Sequence, residues 1–280
     1  MPGNPRFADR SLTVRGQRFH LTDWGPPDGP PVLLLHGVTG HARTWDTEAA
    51  ALAHRYRVIA LDQRGHGDSD PAPDGDYSLA ATAGDVAAVV DALGLTRVSI
   101  VGLSLGGRVA IVYTALHPER VQRLMVVDIG PEIAPAGRVR VGTMMASSPE
   151  RFASVEEAFR QARAANPRYV EALLRERVTH ALRPLPDGGY TWKYDRAIRD
   201  AVREGRWRED LDAWPLWGAI TCPIVIVRGA QSDVLSPEIV TKMIEARPRA
   251  RLVEVAGAGH TVPGDQPALF LEALRAFLAG

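Results

Sequence analysis

The sequence predicts an α/β protein, a doubly wound and mostly parallel sheet with a helical segment inserted late in the chain. Three observations carry that reading. Six short apolar runs recur between turn residues: PVLLLHG, RVIALDQRG, RVSIVGLS, RLMVVDIG, PIVIVRG and RLVEVAGAG. Their hydrophobicity is continuous rather than alternating, as strands covered on both faces require. Helical patterns fill most of the intervals between them, so strand and helix alternate. From Pro131 to about Trp217 that rhythm stops, and only helical patterns follow one another.

Taken in order, LTVRGQRFHLTDWG predicts a hairpin turning at Gly16, and the Pro/Gly-rich WGPPDGPP links it to the first core strand. Leu79, Val86, Val89, Val90 and Leu93 share one helical face, with Asp85 and Asp91 off that stripe. The late interval carries arginine-rich helical patterns, VEEAFRQARAA and YVEALLRERVTHAL, broken by Pro167, Pro184, Pro186 and Gly188-Gly189. The chain closes with PALFLEALRAFLAG, a helix opened by Pro267. The division that follows is a core of residues 1–130 and 218–280 with a helical cap at 131–217.

Composition bounds the function. The 280 residues are 45% hydrophobic and 24% charged, and 33 basic residues balance 33 acidic ones. Such a balance points away from nucleic acid and from anionic membranes. Cys222 is the single cysteine, which excludes an intramolecular disulfide and a thiolate metal cluster. The opening MPGNPRFADRSLTV lacks the basic and apolar segments of a secretory signal, and no stretch reaches about 18 uninterrupted apolar residues. The expectation is a soluble, cytoplasmic protein without nucleic-acid or membrane partners; oligomeric state is not legible.

Chemistry enters at VSIVGLSLGGRVA. A buried strand ends in Gly102-Leu103-Ser104-Leu105-Gly106 and turns at once into a helix. A turn that sharp lifts a serine hydroxyl out of the sheet, and only small neighbours leave room for it. A phosphate-binding loop is the competing reading, but the lysine of a GxxxxGK[ST] pattern and the spacing of GxGxxG are both absent. A serine nucleophile needs a base and a carboxylate to orient it. His260, in GAGHTVPGD after the last strand, is the base expected; the other histidines precede the serine or have no strand end behind them. For the acid, Asp233 in RGAQSDVL is the choice, and Asp128 in VVDIGP is the alternative. The backbone N–H groups of Leu105, at the head of the helix, and of Val38, in HGVTG, are the expected oxyanion donors.

With HGVTG, DQRGHGDSD, GLSLGG, RGAQSD and GAGH in this order, the chain resembles the α/β-hydrolase superfamily, in its serine-nucleophile, capped, esterase- or lactonase-like branch. The resemblance spans nearly the whole chain and implies the same roles: nucleophile Ser104, base His260, acid Asp233, and the two oxyanion donors. It implies that the interval from Pro131 is a cap domain. It also makes Arg64–Asp70 a structural turn, with His66, Asp68 and Asp70 not binding metal. Relatives that attack with an aspartate, the epoxide hydrolases and haloalkane dehalogenases, are set aside by Ser104. Proline iminopeptidases usually follow the nucleophile with tryptophan, where this chain has Leu105.

The function expected is hydrolysis of a small, largely apolar and uncharged carboxylic ester or lactone through an acyl-enzyme, with no cofactor and no metal. Met144, Met145, Trp192, Trp207 and Trp214 are the candidate substrate contacts, with Phe152, Phe159 and Trp217 as further apolar residues of the cap. The same serine machinery serves carbon–carbon bond hydrolases, cofactor-free perhydrolases or haloperoxidases, and hydroxynitrile lyases. A non-catalytic small-molecule receptor would lack one of its members, and none is missing.

Overall fold

The structure, a computed structural model, describes residues 7–204 and 211–280. β1 (Phe7–Val14) and β2 (Gln17–Trp24) form the expected hairpin, turning through Arg15 and Gly16, both at positive φ. The predicted apolar runs become β3 (Pro31–Leu35), β4 (Arg57–Leu61), β5 (Val98–Leu103) and β6 (Val121–Val127). Beyond an inserted segment that contains β7 (Leu182–Pro184) and β8 (Tyr190–Trp192), the other two runs form β9 (Ile224–Gly229) and β10 (Arg251–Val255). One eight-stranded sheet runs β1-β2-β4-β3-β5-β6-β9-β10, parallel except where β2 meets β1 and β4.

Continuous apolar strands are explained by cover on both faces. In β3, Leu33 and Leu35 enter one core while Val32 and Leu34 enter the other, all at most 1% exposed. Burying each such side chain stabilises the fold by roughly 1.5–3 kcal/mol. One face is covered by α2 (Leu79–Ala92) and α3 (Leu105–Leu116), the other by α1 (Asp46–Leu52). α2 starts where the Ser78 hydroxyl accepts the Ala81 N–H. Asp85, expected off its apolar stripe, is instead buried, its carboxylate 2.5 Å from Arg64 Nε. Arg64 belongs to the tight loop after β4, so this buried pair fastens that loop to the helix.

Between β6 and β9 lie α4 (Pro135–Ser147), α5 (Val155–Ala165), α6 (Glu171–Ala181), α7 (Arg196–Arg203) and α8 (Trp214–Ala219). Phe152, Phe159, Leu174 and Val178 build an apolar cluster of its own there. No strand was expected in this interval, yet β7 and β8 pair antiparallel. Pro184 and Pro186 argue against a central strand, but in a two-stranded ribbon the missing donors face outward. α9 (Pro237–Ala246) follows β9; α10 (Val262–Asp265) and α11 (Pro267–Ala279) follow β10, and α11 packs beside α1.

Glu48 of α1 is 2% exposed, and burial pushes its carboxyl up to about 8. Below about pH 4.5 folded and unfolded chains are both protonated there and no penalty arises. As pH rises towards 8 the unfolded chain alone loses the proton, so stability declines. Glu48→Gln is therefore expected to add on the order of 3 kcal/mol at pH 7, about 5 °C in Tm, and almost nothing at pH 4. Thermal melts at the two pH values check this; an equal gain at both would rule out ionisation as the cause.

Candidate active site

The sheet reverses direction of growth at β3, which has β4 on one side and β5 on the other. Loops leaving the carboxyl ends of strands diverge at such a point and open a crevice. Ser104 follows β5 there with φ 53° and ψ −118°. The strain is held from both sides, since Ser104 N–H donates to Val127 O at 3.1 Å and Gly106 N–H to His36 O at 3.1 Å. A Cβ on Gly102 would stand 2.3 Å from Gly106 O, and one on Gly106 would stand 2.3 Å from Leu35 O. These two glycines are what allow strand and helix to close on the serine.

His260, in the loop between β10 and α10, places Nε2 at 2.9 Å from Ser104 Oγ. Its Nδ1 lies 2.8 Å from Asp128 Oδ2. An ionised carboxylate only accepts, so Nδ1 carries the hydrogen and Nε2 is left to accept the serine proton. Asp128, wholly buried at the end of β6, also accepts the Gly229 N–H at 2.8 Å and the Ser232 hydroxyl. Three donors on one buried carboxylate satisfy its charge.

The expectation that Asp233 contacts the imidazole is therefore corrected: Asp128 occupies that position. Asp233 lies four residues beyond β9, in a turn fixed by Ser232 N–H on Gly229 O and Gln231 N–H on Ala258 O. That turn aims it at α4, where it accepts Arg140 Nε at 2.5 Å. Burial alone would raise the Asp233 carboxyl, but the Arg140 guanidinium holds it below the usual carboxylate range. Asp128, by contrast, ends the strand next to β5 and needs no loop to reach the histidine.

Val38 lines the crevice in the loop after β3. Among the described residues neither its N–H nor that of Leu105 has an acceptor. Thr39, beside Val38, takes φ 65°, unusual for a β-branched residue, and Gly40 N–H closes the turn on Gly37 O at 2.9 Å. His36 below them is fully buried, which pushes its imidazole down to about 3 and keeps it neutral. With Nδ1–H on Gly37 O and Nε2 accepting Gln63 N–H, it is a brace for the loop.

Over these groups lies a cavity of about 380 Å³. Met144, Met145 and Trp192 line it, together with Tyr169, Arg140, Arg168 and Arg177, which sequence reasoning missed. Trp214 does not: it packs on the main core, its indole N–H 3.4 Å from Glu132. Trp207 lies outside the described residues. Phe152 and Phe159 belong to the inserted segment's own core, and Trp217 is buried with its N–H on Met243 O at 2.9 Å. His66 is buried with Nδ1 on Arg64 O, Asp70 pairs with Arg18, and Asp68 with Lys193. His20, Asp62 and Asp68 bring ligand atoms within 4.8 Å of one another, the one such group among the described residues. Their atoms are engaged already: His20 lies on Asp62 at 2.7 Å, and Asp62 also accepts the Ala42 and Asp68 N–H groups.

His260 thus bridges Asp128 and the hydroxyl of Ser104, which stands in a strained strand-to-helix turn. The family model described as alpha/beta hydrolase fold matches residues 30–267. This chain is an α/β-hydrolase. The hydrolase is 32% identical to a 3-hydroxybutyrate-oligomer hydrolase of Cupriavidus necator, over 90% of this chain and 89% of that one. It is also 32% identical to an esterase of Mycobacterium tuberculosis, over 91% and 84%. Its backbone superposes on the crystal structure of an E-2-(acetamidomethylene)succinate hydrolase with a TM-score of 0.91 and 26% identity, covering 98% of this hydrolase and all of that chain.

Proposed function

We propose that this α/β-hydrolase cleaves the ester or lactone bond of a small molecule through an acyl-enzyme on Ser104. The observation that carries the reading is the bridging of Ser104 and Asp128 by His260, at 2.9 and 2.8 Å. His260 Nε2 takes the hydroxyl proton as Oγ attacks the carbonyl carbon. The negative charge that develops on the carbonyl oxygen is met by the Val38 N–H in the loop after β3 and the Leu105 N–H at the head of α3. Collapse breaks the ester C–O bond, and the alcohol leaves with the proton from His260. Water then repeats the sequence, giving its proton to His260, and the acid leaves as Oγ recovers its hydrogen. Asp128 holds the ring in the tautomer this needs and offsets the charge of the imidazolium.

In this reading residues 131–217 act as a cap over a core of 1–130 and 218–280. Leu103, Val141, Met144, Met145 and Leu174 give the cavity an apolar wall fitted to a short carbon chain. The relatives' names, a 3-hydroxybutyrate-oligomer hydrolase and an esterase, support ester bonds as the target. A lone Cys222 fits a reducing cytoplasmic setting. The expected result is turnover of p-nitrophenyl butyrate together with covalent labelling of Ser104 by a fluorophosphonate. Labelling without ester turnover would move the reaction to carbon–carbon cleavage or another relative chemistry; absence of both would overturn the hydrolytic reading.

A further inference from the structure

The cavity was expected to hold an uncharged substrate, yet charged side chains stand among its lining residues. Three arginines from the inserted segment border it, Arg140, Arg168 and Arg177, against two aspartates, Asp233 and Asp265. Asp233 is matched by Arg140. Asp265 has its oxygens on the Gly259 N–H and the Thr261 hydroxyl, each at 2.8 Å. Neither Arg168 nor Arg177 forms an ion pair among the described residues. Arg168 donates Nε–H to the neutral Gln231 amide oxygen at 2.6 Å, and Arg177 lies 5.8 Å from the ring centroid of Tyr169. Arg168 Nη1 also stands 3.4 Å from where a Cβ on Gly259 would lie, one residue from the base.

A second, independent observation concerns buried groups. Arg140 Nη2 and the Tyr194 hydroxyl both belong to residues bordering the cavity, and both atoms are buried without a hydrogen-bond partner among the described residues. Tyr194 itself is only 7% exposed. A buried donor left unmatched is costly, and at the cavity wall an acceptor on a bound molecule can meet these two. An apolar ester offers them nothing beyond its reacting carbonyl. A second carboxylate is acceptor-only, singly charged and planar, and matches the fork of a guanidinium.

We infer that the substrate carries a free carboxylate besides the bond to be cleaved, held by Arg168 and Arg177 at the rim of the cavity. The inference deepens the hydrolase reading and rests on it. A half-ester of a dicarboxylic acid, or an ester of a hydroxy acid with its carboxyl free, has this chemistry. The apolar wall takes the carbon chain between the reacting carbonyl and the charged end.

Two pairs of esters test it on the whole protein. For a carboxylate on the acyl side, mono-4-nitrophenyl adipate is compared with its methyl-capped diester. For one on the leaving alcohol, 4-carboxyphenyl butyrate is compared with its methyl ester. The expected result is at least a tenfold higher kcat/KM for the acid member of one pair, through KM, falling with added NaCl as screening grows. The pair that responds tells which side carries the charge. Arg168→Gln and Arg177→Gln are each expected to reduce the acid-to-capped ratio tenfold or more, with Lys at the same position restoring part of it. Turnover of capped and acid esters at equal rates in both pairs overturns the inference and leaves the hydrolase reading intact, as does a ratio unmoved by either substitution. Turnover of none of the four, with no fluorophosphonate label on Ser104, overturns both.

Discussion

Ser104→Ala is expected to lower kcat for p-nitrophenyl butyrate by on the order of 10⁶-fold and to abolish fluorophosphonate labelling. Among the described residues His260 Nε2 has its hydrogen bond on the Ser104 hydroxyl, so no neighbour is placed to inherit the attack. The fold is expected to survive. The elbow is held by backbone bonds, Ser104 N–H on Val127 O and Gly106 N–H on His36 O, and these do not involve the side chain. An unchanged thermal melt with lost turnover separates chemistry from folding. Retention of more than about one thousandth of the rate would mean that water is activated directly and that no acyl-enzyme forms.

The second large effect distinguishes two aspartates. Asp128→Asn is expected to reduce kcat by about 10⁴-fold, because an amide at that position no longer selects the tautomer with hydrogen on Nδ1 and cannot offset the imidazolium. Asp233→Asn loses an ion pair with Arg140 whose side chains are 40% and 35% exposed, and a pair that open contributes little to stability. Its expected effect on kcat is less than tenfold. Parallel kinetics on the two variants decide the matter; a collapse in Asp233→Asn with near-normal turnover in Asp128→Asn would return the orienting role to Asp233.

The scaffold was legible because strands buried on both faces need unbroken apolar runs, and PVLLLHG or PIVIVRG have no other stable placement. That Ser104 and His260 come together was legible because their loops leave strand ends with glycine around them. The acid was ambiguous because Asp128 and Asp233 both follow strands near that edge. What separates them is the turn at Gln231 and Ser232, set by hydrogen bonds to Gly229 and Ala258 that no local pattern announces. Asp85 misled for a similar reason. An aspartate off the apolar stripe reads as solvated until the Arg64 that buries it arrives from a different loop. The arginines over the cavity were hidden by their abundance, since a helix rich in arginine reads as an exposed face. Trp214 and Trp217 show the converse, large apolar side chains that serve the main core while the cavity takes Met144 and Trp192.

Ser104 and His260 are 156 positions apart along the chain, and Asp128 and His260 are 132 apart. If the proposed mechanism holds, no stretch of a few dozen residues contains the reacting set, so a proteolytic fragment or a partly collapsed chain carries the parts without the chemistry. Activity on that mechanism is a collective property that appears only when the entire parallel framework has zipped together. Turnover consequently counts intact molecules in a population, making the natural reaction its own reporter of conformational integrity.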